Sequence, residues 1–343
     1  MSLIADVKHY DDFEDDSDVY IHDGLALQPV AGTAVAPLPS KKCKLEAEEF
    51  LTGGRGRENG IVVVRGALRS VESPEKGPLN VVVKVALTTA ALGRVIEEAK
   101  VYHDKLRDLS SGGDCIPRSY GVYHVASPVN APEELCVGFL MLEDCGDPVG
   151  SFVHSDNAED VSFRIRLLTL VHEIHARGLM HRQLSPYHVL HRDGTPYLVD
   201  FARAMDHQCP RNADRPTDAE YGKLVQPARE QFGCNEIYNL MEKTQAWLPA
   251  MFICKGRPWS ARYFLENPEA LANKMLDIES TLPALAPRQS PREALTAVHR
   301  AICGYYKQHL PARGAAYEDD LDLNLERYCQ AYEDEVARNP FDA

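Results

Sequence analysis

The 343-residue sequence has no apolar run approaching the ~18 residues that a membrane-spanning helix requires. It has no C-x-x-C pair, and its first residues, "MSLIADVKHYDDFEDDSD", are acidic where a secretory or mitochondrial leader is basic. The final "NPFDA" carries no prenylation or retention signal. Together these absences predict an intracellular protein, cytoplasmic or nuclear, without membrane association. Positive charge is also in short supply: 37 Lys and Arg face 51 Asp and Glu, a net charge of −14. That balance argues against nonspecific nucleic-acid binding, which works by neutralising phosphates. Arg55, Arg57, Arg65 and Arg69 read as a solvated loop face, with anion contacts as the alternative. The nine cysteines are irregularly spaced, which fits reduced thiols better than a disulfide framework. In "DHQC", His207 and Cys209 offer half a metal site, but no second half stands at a suitable spacing.

What is present describes an ordinary globular chain, 44% apolar and 26% charged, long enough for two cooperating lobes. Residues 1–43 combine an acidic run, Asp11 to Asp18, with "LQPVAGTAVAPLPSKK", the composition of a flexible arm and linker. Docking of its Tyr10, Phe13, Tyr20 and Ile21 is the alternative. Residues 44–146 hold four β-type runs, "IVVVRGAL", "NVVVKVAL", "SYGVYHV" and "LCVGFLML". Among them lies one amphipathic helix, with Leu92, Val95, Ile96, Ala99, Tyr102 and Leu106 recurring at three- and four-residue spacing. Residues 147–343 turn helical. Phe163, Leu167, Leu170, Val171, Ile174 and Leu179 share one face, and Gly178 stands where a helix stop is expected. Helix-like patterns continue from residue 219 to the end, with breaks at "LPAMFICKGRPWS" and "LPALAPRQSP". The expected fold class is α+β: a small β-rich lobe with one main helix, then a larger, mostly helical lobe.

The stretch "HRQLSPYHVLHRDGTPYLVDFA" contains two His-Arg pairs, one followed by Gln183 and the other by Asp193. Asp193-Gly194 between two β-type runs is a hairpin signal, because a type I′ turn needs positive φ at both central residues. Asp193 is therefore placed on a solvent-facing turn, and the first copy on an irregular loop after a long helix.

That arrangement resembles the protein-kinase fold, in which a helix leads into H-R-D-L-x-P-x-N, a two-stranded hairpin follows, and D-F-G closes it. "EIHARGLMHRQLSPYHVL" and "YLVDFA" match in order, and 17 residues separate Gln183 from Asp200. Asp193 lies only seven residues before Asp200, too few to hold both loop and hairpin. The resemblance implies a bilobal kinase-like fold, most similar to divergent fungal kinase-like families, over about residues 45 to 205. It places Lys84 at the phosphate-gripping strand lysine and Glu98 at its helical partner, with Glu97 as the other register. It makes Leu142 the gatekeeper and puts the backbone of Glu143 and Cys145 against adenine. Gly54 and Gly56 would belong to the glycine-rich turn, although Gly60 comes one residue later than the family's spacing demands. Asp200 would hold the metal. No A-P-E phrase follows, which leaves the activation segment and distal lobe unusual.

The departures bear on the chemistry. Gln183 occupies the base position, and an amide cannot accept a proton near neutral pH. Losing a general base costs roughly 10²–10⁴-fold, about 3–5 kcal/mol of barrier. His188 replaces the asparagine that would offer an oxygen to magnesium, and imidazole suits that hard ion poorly. Ser185 removes a basic residue near the γ-phosphate, and Ala202 replaces the final glycine. The resemblance and these losses imply a pseudokinase that binds nucleotide weakly or not at all and acts through protein–protein interaction or allosteric regulation. ATP with Mg²⁺ or Mn²⁺ is the implied cofactor, if there is one. The alternatives are an active phosphotransferase using His188 as a displaced base, nucleotidyl transfer on the same fold, and a binding module with a filled cleft. The sequence leaves partner, substrate and oligomeric state open.

Other motifs receive structural readings. "HEIH" spaces its histidines three apart, not the four that a helical zinc pair requires, so His175 reads as a packing or loop-anchoring residue. His181 and Arg182 read as braces of the loop, and Trp247 and Trp259 as packing. The C-terminal run with Leu321, Leu323, Leu325, Tyr328 and Tyr332 reads as a solvated amphipathic helix, with partner docking as the alternative.

Overall fold

Alternation builds the first layer of the fold. In "IVVVRGALRS" and "LNVVVKVA", β-branched residues run consecutively, which suits strands, and burial alternates along the first half of the former, with Val62 and Val64 buried. The computed structural model of the chain describes residues 2–6, 27–39, 42–51, 60–113, 115–125, 138–155, 157–210, 221–222, 224–280, 289–319, 325–327, 329–331 and 334. They fall into two compact units, Met1–Arg215 and Pro216–Ala343.

The first unit contains a seven-stranded sheet made of β1 (Ser2–Asp6), β2 (Leu27–Pro29), β3 (Lys42–Phe50), β4 (Ile61–Ser70), β5 (Leu79–Ala86), β6 (Ser119–Val125) and β7 (Gly138–Glu143). The spatial order is β1-β3-β4-β5-β7-β6-β2. Every neighbouring pair is antiparallel except β1 and β3. The region read as arm and linker thus supplies two strands. Its Tyr10, Phe13, Tyr20 and Ile21 lie outside the described residues. After β2 the chain runs on to Ala36, whose N–H donates to the Ser119 carbonyl at 2.9 Å. Leu38 then joins Val62, Val64, Val81, Val83, Val85, Phe139 and Met141 in the apolar core on one side of the sheet.

Helix α1 (Thr89–Lys100) packs across β5, β6 and β7. Thr88 caps it by accepting the Ala91 N–H, as a β-region N-cap hydroxyl does. Leu92, Val95 and Ala99 are buried, and Tyr102 and Leu106 continue the stripe through a π turn (Val101–Lys105) into α2 (Arg107–Gly112). The short β8 (Asp147–Pro148) precedes α3 (Ala158–Ala176). Asn157 caps α3 by accepting the Asp160 N–H, and Phe163, Leu167, Leu170, Val171 and Ile174 are buried on its inner face. Gly178 (φ +75°) supplies the left-handed residue that ends it. Beyond lie β9 (Leu179–Met180), the hairpin β10 (Val189–Arg192) and β11 (Thr195–Leu198), and β12 (Met205–Asp206), which pairs with β9.

The second unit is largely helical. It comprises α4 (Arg229–Phe232), α5 (Asn235–Lys243), α6 (Ala261–Phe264), α7 (Pro268–Ser280), α8 (Pro291–His309) and α9 (Pro311–Asp319). A capping box of Ser290 and Glu293 starts α8, and Leu271, Leu295, Val298, Ile302 and Tyr306 form its core with Leu325. The break expected around residues 248–260 is a hairpin, β13 (Met251–Cys254) and β14 (Arg257–Ser260). Its turn residues, Lys255 and Gly256, have φ of 50° and 72°. Trp247 packs against Phe232 and Tyr238, and Trp259 against Phe264. Leu321, Leu323, Tyr328 and Tyr332 lie outside what is described of the structure. The chain is α+β, a β-rich N-terminal region followed by a more helical part. Among the described residues no helix is long and apolar enough to cross a membrane.

Glycines with positive φ separate strain from crowding. Gly146 (φ +91°) would place a Cβ 2.3 Å from the His191 carbonyl oxygen, whereas Gly194 (φ +75°) has open space around it. Both Gly146→Ala and Gly194→Ala pay the left-handed cost of ~1–2 kcal/mol. Gly146→Ala should lose at least ~1 kcal/mol more in reversible urea unfolding, because backbone must shift. Equal losses would contradict the close approach of residue 146 to the hairpin.

Candidate functional site

Lys84 lies on the central strand β5, between Val63 of β4 and Leu140 of β7. Because Val83 and Val85 point into the sheet core, period-two alternation turns Lys84 to the opposite face, where α1 packs. Its ammonium donates to both carboxylate oxygens of Glu98 at 2.8 Å and to Asp200 Oδ1 at 2.6 Å. Glu98 is the buried member of its pair, its side chain 1% exposed. Glu97 faces solvent and pairs with Lys100 at 2.7 Å. The Phe201 N–H adds a third donor to Glu98, at 3.1 Å.

Burial opposes the charge on Lys84, but the carboxylates of Glu98 and Asp200 outweigh it and raise its pKa. Burial likewise disfavours the Asp200 carboxylate; Lys84 first, then His188 and His181, overcome that and hold its pKa below the ordinary value. Glu98, the most enclosed of the three, is pushed upward by burial, with Lys84 pulling the other way.

The loop after β9 is braced from within. The His181 ring is buried; its Nε2–H donates to the Val199 carbonyl at 2.9 Å, and its Nδ1 accepts the Gln183 N–H at 3.2 Å. The two contacts fix the tautomer, because a carbonyl only accepts and an N–H only donates. The ring also meets Phe201 edge-on at 4.9 Å, and Phe201 meets Tyr102 of the π turn at 5.3 Å. Arg182 and Asp200 both hold left-handed backbone, with φ of 69° and 67°. Non-glycine residues pay about 1–3 kcal/mol each for such conformations, which persist where surrounding contacts over-determine them.

Gln183 and Ser185 are partly buried on this loop. His188 Nδ1 donates to the Gln183 carbonyl at 2.6 Å, with the Ser185 hydroxyl at 3.3 Å. His188 Nε2 therefore faces Asp200 Oδ2, 3.3 Å away. A protonated ring can donate across that gap, and a neutral ring presents a lone pair beside the carboxylate. In the neutral state the two atoms form a mixed nitrogen–oxygen ligand pair, which suits Mn²⁺ better than Mg²⁺. The other oxygen of Asp200 is engaged by Lys84.

Leu142 is next to last in β7, buried, opposite Val82 and Ser119. Glu143 spends its N–H on the Arg118 carbonyl at 2.9 Å. Cys145 is fully buried, and burial raises its thiol pKa. Gly54 and Gly56 lie outside the described residues. Asp193 (φ 51°) and Gly194 (φ 75°) form the exposed hairpin turn, with Arg192 opposite Thr195. Sequence reasoning overlooked Arg192, the arginine of the second His-Arg copy. It donates to Glu143 Oε1 at 2.9 Å, the Asp144 carbonyl at 2.8 Å and the Tyr197 hydroxyl at 2.7 Å, tying the hairpin to the end of β7. Its adjacency to a decoy motif was the only local signal. Arg65 pairs with Glu49, Asp144 and Asp147, and Arg69 with Glu46, so both basic side chains are met by acids.

The arrangement thus brings one ammonium, two carboxylates and the His188 imidazole together beside Gln183. Neither the protein-family models nor the curated proteins give a match to the chain.

Removing the ammonium leaves a buried carboxylate uncompensated, so Lys84→Met should destabilise the chain by ~3–5 kcal/mol at ~pH 7. Asp200, with its pKa lowered, contributes stability above the ordinary Asp range and loses it as pH falls through the lowered value. Lys84, with its pKa raised, contributes at every pH below the ordinary Lys value. The deficit of Lys84→Met should therefore shrink toward ~pH 4, where the variant's carboxyls take up protons. Urea unfolding of both proteins across that range is the check, and a pH-independent deficit would contradict it.

Proposed function

We propose that the chain is a kinase-like pseudokinase, which holds nucleotide weakly and acts through contacts with a protein partner. The observation that carries this reading is the set of three hydrogen bonds by which Lys84 is committed to Glu98 and Asp200, beside a loop whose acid position is Gln183. An ammonium has three donors. A phosphate reaches Lys84 only by replacing a carboxylate contact, and a metal reaches Asp200 only by competing with Lys84. Either exchange subtracts from the affinity of a nucleotide. The resemblance to the kinase superfamily supports the same reading through the order of strand lysine, helical glutamate, loop and Asp-Phe, all held in the first unit.

The displaced-base alternative requires His188 to take a proton from a substrate hydroxyl. Its Nδ1 gives a hydrogen bond to the Gln183 carbonyl, and its Nε2 is aimed at Asp200 Oδ2, 3.3 Å away, where a substrate hydroxyl would have to come between them. This favours the reading without phosphotransfer.

The test is a radiolabelled γ-phosphate transfer assay on the full chain with Mg²⁺ and with Mn²⁺, run beside thermal melts in millimolar ATP. We expect no transfer above background and a melting shift of no more than ~1–2 °C, the size for ligand near its dissociation constant. Turnover that disappears in both Lys84→Ala and Asp200→Asn would overturn the proposal. The pair Gln183→Asp and His188→Asn should together raise transfer if those groups alone are missing.

A further inference from the structure

We propose that His175, His207 and Cys209 form a zinc site that fastens the segment following Asp200 to the end of α3. One potential ligand atom from each residue lies within 4.8 Å of those of the other two. Zinc bound at ~2.0–2.1 Å to nitrogen and ~2.3 Å to sulfur holds such atoms ~3.3–3.7 Å apart, so sub-ångström side-chain movements complete the geometry. The three residues leave one tetrahedral position for water or a further donor.

The convergence follows from the local fold. His175 sits in the last turn of α3, and Gly178 reverses the chain just beyond it. Strand β12 pairs with β9, and the His207 N–H donates to the Gly178 carbonyl at 2.8 Å, which brings the "DHQC" segment to the helix end. His207 and Cys209, two residues apart, both bring a ligand atom to this point. The second half of the site was invisible in sequence because it is one histidine, 32 positions upstream. The three-residue spacing of "HEIH" also argued against zinc, but His172 is not required for this set.

Chemistry and burial favour zinc over magnesium or calcium. A thiolate with two imidazoles is a borderline-soft donor set, which hard oxygen-seeking ions avoid. His175 is fully buried and Cys209 is 7% exposed, so the ligands sit in a low-dielectric setting that strengthens coordination. The His175 and His207 rings meet edge-on, with centroids 5.0 Å apart. Packing accounts for that ring contact but does not require a thiol to converge on the same point. On binding, Cys209 loses its proton to solvent and the two imidazoles bind neutral. The inference is independent of the pseudokinase reading, since it concerns residues outside the Lys84 cluster.

The test uses the tag-free full chain, purified without chelator from zinc-supplemented cells. Elemental analysis should find about one zinc per chain. Stripping with chelator should lower the melting temperature, and zinc alone should restore it. Cobalt(II) added to stripped protein should give the near-ultraviolet thiolate-to-cobalt band and the strong visible bands of four-coordinate cobalt. Both should be lost in Cys209→Ser, whose melting should no longer respond to chelator. His175→Gln should weaken zinc by more than the ~10–100-fold that loss of an outer hydrogen-bonding partner costs. If Cys209→Ser does not fold, His175→Gln carries the comparison. A zinc-free chain with chelator-insensitive melting, or a cobalt spectrum unchanged by these substitutions, would overturn the site.

Discussion

A lysine ammonium held away from water governs the first unit. Moving such a charge out of solvent costs several kcal/mol, and it persists only where carboxylates and hydrogen bonds meet it. Glu98 meets Lys84 from α1, and Asp200 meets it from the chain beyond the β10–β11 hairpin. Three elements separated by 14 and 116 positions are thereby drawn to one atom. Glu98 extends the linkage by accepting the Phe201 N–H, and Phe201 in turn packs between Tyr102 and His181. Removing one charge would therefore disturb the sheet, the helix and the loop together.

Backbone strain gathers around the same cluster. Arg182 on the loop and Asp200 beyond the hairpin keep left-handed backbone, and His181 ties the loop to the chain beyond the hairpin by bonding to Gln183 and Val199. Such strain is the usual cost of presenting a side chain in a fixed direction. Here Gln183 carries an amide, and His188 is absorbed into contacts with Gln183 and Asp200. The proposed loss of phosphotransfer follows from retained positioning without an acceptor. A fold by itself does not determine activity, so the reading rests on these groups.

Features set by short-range periodicity were legible in the sequence. The valine-rich runs marked β4 and β5, and three- and four-residue spacing marked α1 and α3. The Asp193-Gly194 pair marked the hairpin turn because its positive φ values are chemically selective. The same pair placed the second His-Arg copy on the hairpin, where the structure has it. Long-range choices were not legible. Nothing local in Ser2–Asp6 specifies parallel pairing with β3, and the Lys255-Gly256 turn lacks the Asn or Asp that usually announces a type I′ hairpin. The Arg192–Glu143 contact spans 49 positions. The engagement of Lys84 by Asp200 as well as Glu98 is a tertiary outcome that residue types permit but do not dictate.

The claim that Asp200 competes with phosphate for Lys84 makes an unusual demand on nucleotide affinity. The most direct measurement is titration calorimetry of ATP, without divalent ions, into the wild-type chain and into Asp200→Ala. If Asp200 occupies the ammonium and repels the phosphates, the variant should bind metal-free ATP several-fold tighter, a gain of about 1 kcal/mol. Nucleotide binding that depends on a divalent ion in the wild type and is lost in Asp200→Ala would contradict the account.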